Sequence, residues 1–145
     1  MGASLLSASA LLLAGCGREE AATNRASGTT LPAAESDTVV FRAGARDRLC
    51  LTGGQVAFIT YAEGGNTNCT VRGSVDGPAA ETLIHPDGDT ACTVPLTRAE
   101  NRVTLGAGGP ACAYYCGPNA GFAGKSFDRA PTPEAVTDLA GDPLC

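Results

Sequence analysis

Seven cysteines in a chain of 145 residues set the terms on which it can fold, because they divide into one and six. Cys16 closes an apolar run near the start, whereas Cys50, Cys69, Cys92, Cys112, Cys116 and Cys145 are spread over the remainder. An even set in an exported chain reads as a disulfide framework, and the sequence leaves open which of the fifteen possible pairings is used. Cys50 with Cys145 is the best single pairing, since each stands at an extremity of the region expected to fold. Closing a loop of roughly 100 residues stabilises by up to ~4–5 kcal/mol in the chain-entropy model. Zinc suits this set poorly, because no CxxC pair occurs and His85 is the single histidine. Cys112 and Cys116 are likewise spaced wrongly for a redox pair, with no flanking base to lower a thiol pKa.

The run Leu5 to Ala14 is apolar or small throughout. It is too short to cross a hydrocarbon core as a helix, which takes ~20 residues, but it suits the apolar segment of a signal peptide. Its end, Leu13-Ala14-Gly15-Cys16, resembles the bacterial lipobox. The resemblance implies cleavage before Cys16, diacylation of its thiol, and a mature protein held at a membrane by lipid. No Lys or Arg precedes the run, a departure from the usual basic leader. N-myristoylation of Met1-Gly2 fits less well, because Leu6 stands where that signal wants Ser or Thr. Gly17 follows the cysteine; in the lipoproteins this resembles, Asp there retains the protein at the inner membrane, so the expected address is the outer membrane, facing the periplasm.

Three segments follow: a signal peptide over 1–15, a lipidated terminus and tether over 16–46, and one disulfide-rich β domain over 47–145. The tether is rich in Ala, Ser, Thr, Gly and charge, although Thr38-Val39-Val40-Phe41 could add a first edge strand. Fifteen acidic residues against ten basic, with no basic block, leave nucleic acid without an electrostatic footprint. The absence of Trp and the scarcity of Phe and Tyr speak against an aromatic sugar or nucleotide platform. No cofactor is implied.

Beyond Leu49 the apolar period becomes two. Val56, Phe58 and Thr60 share one face and Ala57, Ile59 and Tyr61 the other; Cys69, Val71, Gly73 and Val75 alternate with polar residues, as do Cys92, Val94 and Leu96, then Val103 and Leu105. Such alternation marks antiparallel strands with one wet face. Turn signals at Gly64-Gly65-Asn66, Asp76-Gly77-Pro78, Asp87-Gly88-Asp89 and Gly108-Gly109-Pro110 separate the runs. The expected fold class is therefore all-β, an antiparallel meander curling into a small barrel or sandwich. Pro95 lacks a ladder donor and points to an edge or a bulge. Thr132-Pro133-Glu134 reads as a cap, a first-turn proline and an acidic first turn, predicting a short C-terminal helix from Pro133 to about Leu139.

Recognisable catalytic patterns are few. Gly124-Lys125-Ser126 has Asn119 where a phosphate loop needs its first Gly, and reads better as a turn. Asp87-Gly88-Asp89 has Ala91 in place of a third calcium ligand, so a hairpin turn is favoured. His85 has no identifiable nucleophile partner, and enzymatic activity is not expected. The densest patch is Cys112 to Phe127. Its Tyr114, Tyr115, Phe122 and Lys125 suggest a rigid presented loop that binds a periplasmic protein or a peptidoglycan-related partner. Against this stands the plainer option that the tyrosines fill and fringe the core.

In outline the chain resembles small Cys-rich lipoproteins of Gram-negative bacteria. In architecture it is also loosely similar to membrane-bound inhibitors of c-type lysozyme. The Ser-Gly pair those inhibitors carry before an aromatic is reversed here in Gly124-Lys125-Ser126-Phe127, so no inhibitory residue carries over. The resemblance implies an envelope binding or inhibitor module, with a purely structural envelope lipoprotein as the alternative.

Overall fold

A computed structural model describes residues 37–145. Cys16, the signal peptide and the first part of the tether lie outside the described residues. Eight antiparallel strands follow one another in sequence order and close into a barrel. They are β1 Val39–Ala43, β2 Asp47–Thr52, β3 Gln55–Tyr61, β4 Asn68–Asp76, β5 Glu81–Pro86, β6 Val94–Ala99, β7 Arg102–Leu105 and β8 Ser126–Arg129. β1 pairs with both β2 and β8. It closes the barrel rather than edging it, and the β domain therefore begins before residue 47. Closure removes the exposed ladder edges that an open sheet of this size must protect.

The interior is filled by the inward residues of all eight strands, among them Phe41, Leu49, Val56, Phe58, Val71, Ile84, Leu96, Val103, Leu105 and Phe127. Eight strands leave an interior just wide enough for side chains to fill it or to hold one small ligand. Gly73 on β4 is the tightest point of the wall: a Cβ there would lie 2.1 Å from the His85 carbonyl oxygen on β5. Outward positions carry charge, with Arg42 and Arg102 both opposite Asp128 in register. The Arg102–Asp128 ion pair measures 2.7 Å.

A second apolar cluster lies outside the barrel. Val40, Cys50, Ala57 and Ile59 face outward from β1–β3 and are covered by Val136 and Leu144 of the C-terminal tail. β3 is therefore buried on both faces, where alternation alone suggests one wet side. The expected Cys50–Cys145 disulfide holds the tail in place. Arg48 pairs with Glu134 at 2.9 Å and Arg72 donates to the Pro143 carbonyl.

Two local expectations are corrected. Residues Pro133 to Leu139 form no helix; the tail runs irregularly, with one bridge between Thr137 and Pro143. Seating Val136 and Leu144 on the same face and bringing Cys145 to Cys50 overrides the capping signal. The short helix of this fold is a 3-10 turn at Pro110–Tyr115 instead. Pro95 lies within the closed wall, paired with Leu83 of β5, and its carbonyl accepts from Gly106 N–H. Amide and carbonyl of one strand residue face the same neighbour. The missing donor therefore points past Leu105, where the β6–β7 ladder has ended.

Candidate functional site

The two ends of the barrel differ, and the difference follows from connection lengths. At one end the 20-residue connection between β7 and β8, residues 106–125, folds back over the opening. Cys116 is bonded to Cys69 at the start of β4, and Cys112 to Cys92 just before β6. Phe122 enters the core and meets Phe58 edge-on at 5.4 Å, and Thr60 Oγ1 donates to the Gly121 carbonyl at 3.2 Å. Lys125 Nζ donates to Asp47 Oδ2 at 2.7 Å and to the Tyr61 carbonyl at 3.3 Å. This end is plugged.

The loop expected to present a binding patch sends some of its side chains inward and leaves others at the surface. Phe122 is 6% exposed and Lys125 is neutralised by a carboxylate. The Tyr115 hydroxyl donates to Asp89 Oδ2 at 3.0 Å, while Asp89 Oδ1 accepts from the amides of Ala91 and Cys92. Those bonds hold the Asp89 carboxyl below its ordinary value, the Ala91 amide contributing most. Burial, then the Asp89 bond and charge, push the Tyr115 hydroxyl up. Asp89 is accordingly a turn-forming carboxylate that seats Cys92 and Tyr115. Of the four patch residues Tyr114, 88% exposed and edge-on to Tyr115, is the most open to water, Tyr115 and Lys125 are partly exposed, and Phe122 is buried. His85 Nε2 lies 3.1 Å from Asp76 Oδ2 without hydrogen-bond alignment, on the outer wall.

The opposite end is bounded by short turns, Gly53-Gly54 between β2 and β3 and Glu100-Asn101 between β6 and β7. It opens into a cavity of about 570 Å³. That volume lies within the ~300–1,000 Å³ usual for small-molecule pockets.

Register divides its lining into two halves. The inward residues of β1, β2 and β4 are apolar, Val39, Phe41, Leu51 and Val75, with Thr52 and Gln55 polar beside the β2–β3 turn. The other half carries polar groups at inward positions. Thr82 sits opposite Leu96, Arg98 opposite Val103, and Arg129 opposite Phe41, and each of those partners points into the barrel. Arg98 continues the inward series Val94, Leu96 on β6, and Arg129 the inward Phe127 on β8.

A charged side chain at a core-facing position is a local conflict that needs a reason. Here it comes with unmet bonding. Thr82 is 4% exposed, yet its buried hydroxyl has no partner, and neither does the buried Nε of Arg98. Among the described residues no carboxylate lies within ion-pair distance of Arg98 or Arg129, although Asp37 and Glu100 stand at exposed rim positions. The sequence held this signal in Val94-Pro95-Leu96-Thr97-Arg98, whose alternation ends on a cation. It was outweighed by the aromatic and cysteine density of the plug. Among the described residues no group of three His, Cys, Asp or Glu side chains could hold a metal ion.

The chain is thus an eight-stranded antiparallel barrel with one stapled, plugged end and one open, two-sided mouth. Neither models of protein families nor curated proteins nor solved structures provide a match to it.

Proposed function

We propose that this chain is an exported binding module, lipid-anchored at Cys16 and facing the periplasm, whose ligand site is the open mouth of the barrel. The observation that carries the reading is the pair of inward arginines beside an unpartnered, buried Thr82 hydroxyl. Nearly all buried polar groups have partners in native proteins, and two exceptions side by side in one cavity call for an acceptor or donor to fill it. Binding suits the mouth better than catalysis does, because arginine keeps its charge at every accessible pH and cannot shuttle protons.

Three disulfides support an oxidising compartment, as export requires. Asp37, the first described residue, lines the mouth, so the chain leading from the anchor joins the barrel at its open end.

The test is amide-shift mapping by NMR on the intact, oxidised chain titrated with a panel of small molecules. Shifts clustering at Val39, Leu51, Val75, Thr82 and Arg98 support the mouth as the site. A panel whose binders all map to Tyr114 and the plug, or that contains no binder, overturns it. Metabolic labelling with an alkyne fatty acid, lost in Cys16→Ser, checks the anchor separately.

A further inference from the structure

We infer that the mouth selects a small amphipathic acid: one acidic group on a compact apolar body, lying across the opening. The inference rests on the mouth being the ligand site and names the chemistry that site would take.

The lining is divided by strand, so a ligand spanning it meets two environments at once. On the β1–β4 side Val39, Leu51 and Val75 are partly buried hydrophobic side chains at the top of the core. An apolar body resting on these three side chains leaves water. On the β5–β8 side the groups able to bond are cationic or hydroxylic: Arg98, Arg129 and the Thr82 hydroxyl.

A guanidinium is a planar fork of donors that matches a carboxylate, phosphate or sulfonate. The buried Nε of Arg98 is one such donor without an acceptor, and the Thr82 hydroxyl can add a second bond to the same acidic group. Both cations stand on inward positions of the register, Arg98 partly buried and Arg129 exposed, while the two carboxylates of the lining, Asp37 and Glu100, lie at the exposed rim. An acidic group that passes the rim therefore meets a guanidinium and a hydroxyl able to bond it, whereas an ammonium meets like charge at Arg98.

Size restricts the class further. The cavity of about 570 Å³ opens onto a barrel whose interior is already filled by Phe41, Leu96, Val103 and Phe127. There is no shaft for a long chain to descend, so the apolar part must be compact.

Two fluorescent probes with the same aryl body separate the contributions. One is 1-anilinonaphthalene-8-sulfonate and the other is N-phenyl-1-naphthylamine, which lacks the sulfonate. With the intact oxidised chain the sulfonate is expected to bind at least about tenfold more tightly, the scale of one charged hydrogen bond. Arg98→Gln should erase that preference, and Arg98→Lys should restore part of it. Circular dichroism of each variant guards against reporting a loosened core.

Equal binding of both probes at the mouth, unaltered by Arg98→Gln, overturns the acid selectivity and leaves the mouth as a ligand site. Absence of binding by either probe, with no amide shifts at Val39, Leu51 or Val75, overturns both.

Discussion

Lys125 Nζ stands 2.7 Å from Asp47 Oδ2, joining the long β7–β8 connection to the first residue of β2 across the plugged end. The other Asp47 oxygen accepts the Tyr61 amide at 2.9 Å, so one carboxylate ties three segments together. Asp47 is buried and Lys125 only partly so. The pair falls between exposed ion pairs, worth about 0–1 kcal/mol, and fully buried ones, whose breaking costs about 3–5 kcal/mol. Asp47→Ala should therefore destabilise by about 1–3 kcal/mol in urea titrations, and Lys125→Met by less, since its stem still packs. Neither should change probe binding at the mouth.

Acid and alkali should act on the Asp89–Tyr115 contact from opposite directions. The Asp89 carboxyl is held below its ordinary value near 3.8, chiefly by the Ala91 amide. Its contribution is present above that value and is lost as pH falls through the lower folded-state value. Tyr115 is raised above its ordinary value near 10.0, first by burial and then by Asp89. Its contribution is complete below that value and is lost as pH climbs through the raised one. The urea-midpoint gap between wild type and Asp89→Asn should shrink below about pH 4, and that between wild type and Tyr115→Phe above about pH 10. Gaps independent of pH would refute the assignment.

Gly73→Ala should damage the barrel wall. The new methyl would meet the His85 carbonyl oxygen at 2.1 Å and the Pro86 Cα at 2.8 Å, both backbone atoms that cannot rotate away. The strands must separate, at a cost of about 1–3 kcal/mol or more. Gly121→Ala, where a Cβ meets nothing within 4 Å, should stay within roughly 0.5 kcal/mol of wild type and serves as the control.

Removing Cys50 and Cys145 together, as Ser, should separate the outer layer from the barrel. The bond spans 95 residues, so its loss costs up to about 4–5 kcal/mol in the chain-entropy model. Hydrogen exchange should show faster exchange at Leu144, whose amide donates to the Val136 carbonyl, while the β4–β7 amides remain protected. Uniform loss of protection would show that tail and barrel unfold as one unit.

Much of the barrel was legible because period two is a local property. The runs around Val56–Phe58, Cys69–Val75, Val94–Leu96 and Val103–Leu105 all lie in strands as read. β8 was hard to read, since only Phe127 of its four residues is buried. The tail misled because Thr132-Pro133-Glu134 carries a sound helix-start signal, whereas what holds the tail is non-local: two apolar anchors and a disulfide to β2. The pairings of Cys69 with Cys116 and Cys92 with Cys112 also depend on where the plug folds, which no spacing reveals. At the mouth the information was present in the inward register of Thr82, Arg98 and Arg129. Side chains gathered from β5, β6 and β8 become neighbours only once the wall closes.

The tight turns at Gly53-Gly54 and Glu100-Asn101 bear on how quickly the proposed site would exchange an occupant. Neither is long enough to reach across the opening and trap a guest. For the proposed ligand, residence would then be governed by its contacts with the wall, and the barrel would sample its surroundings continuously instead of storing what it captures.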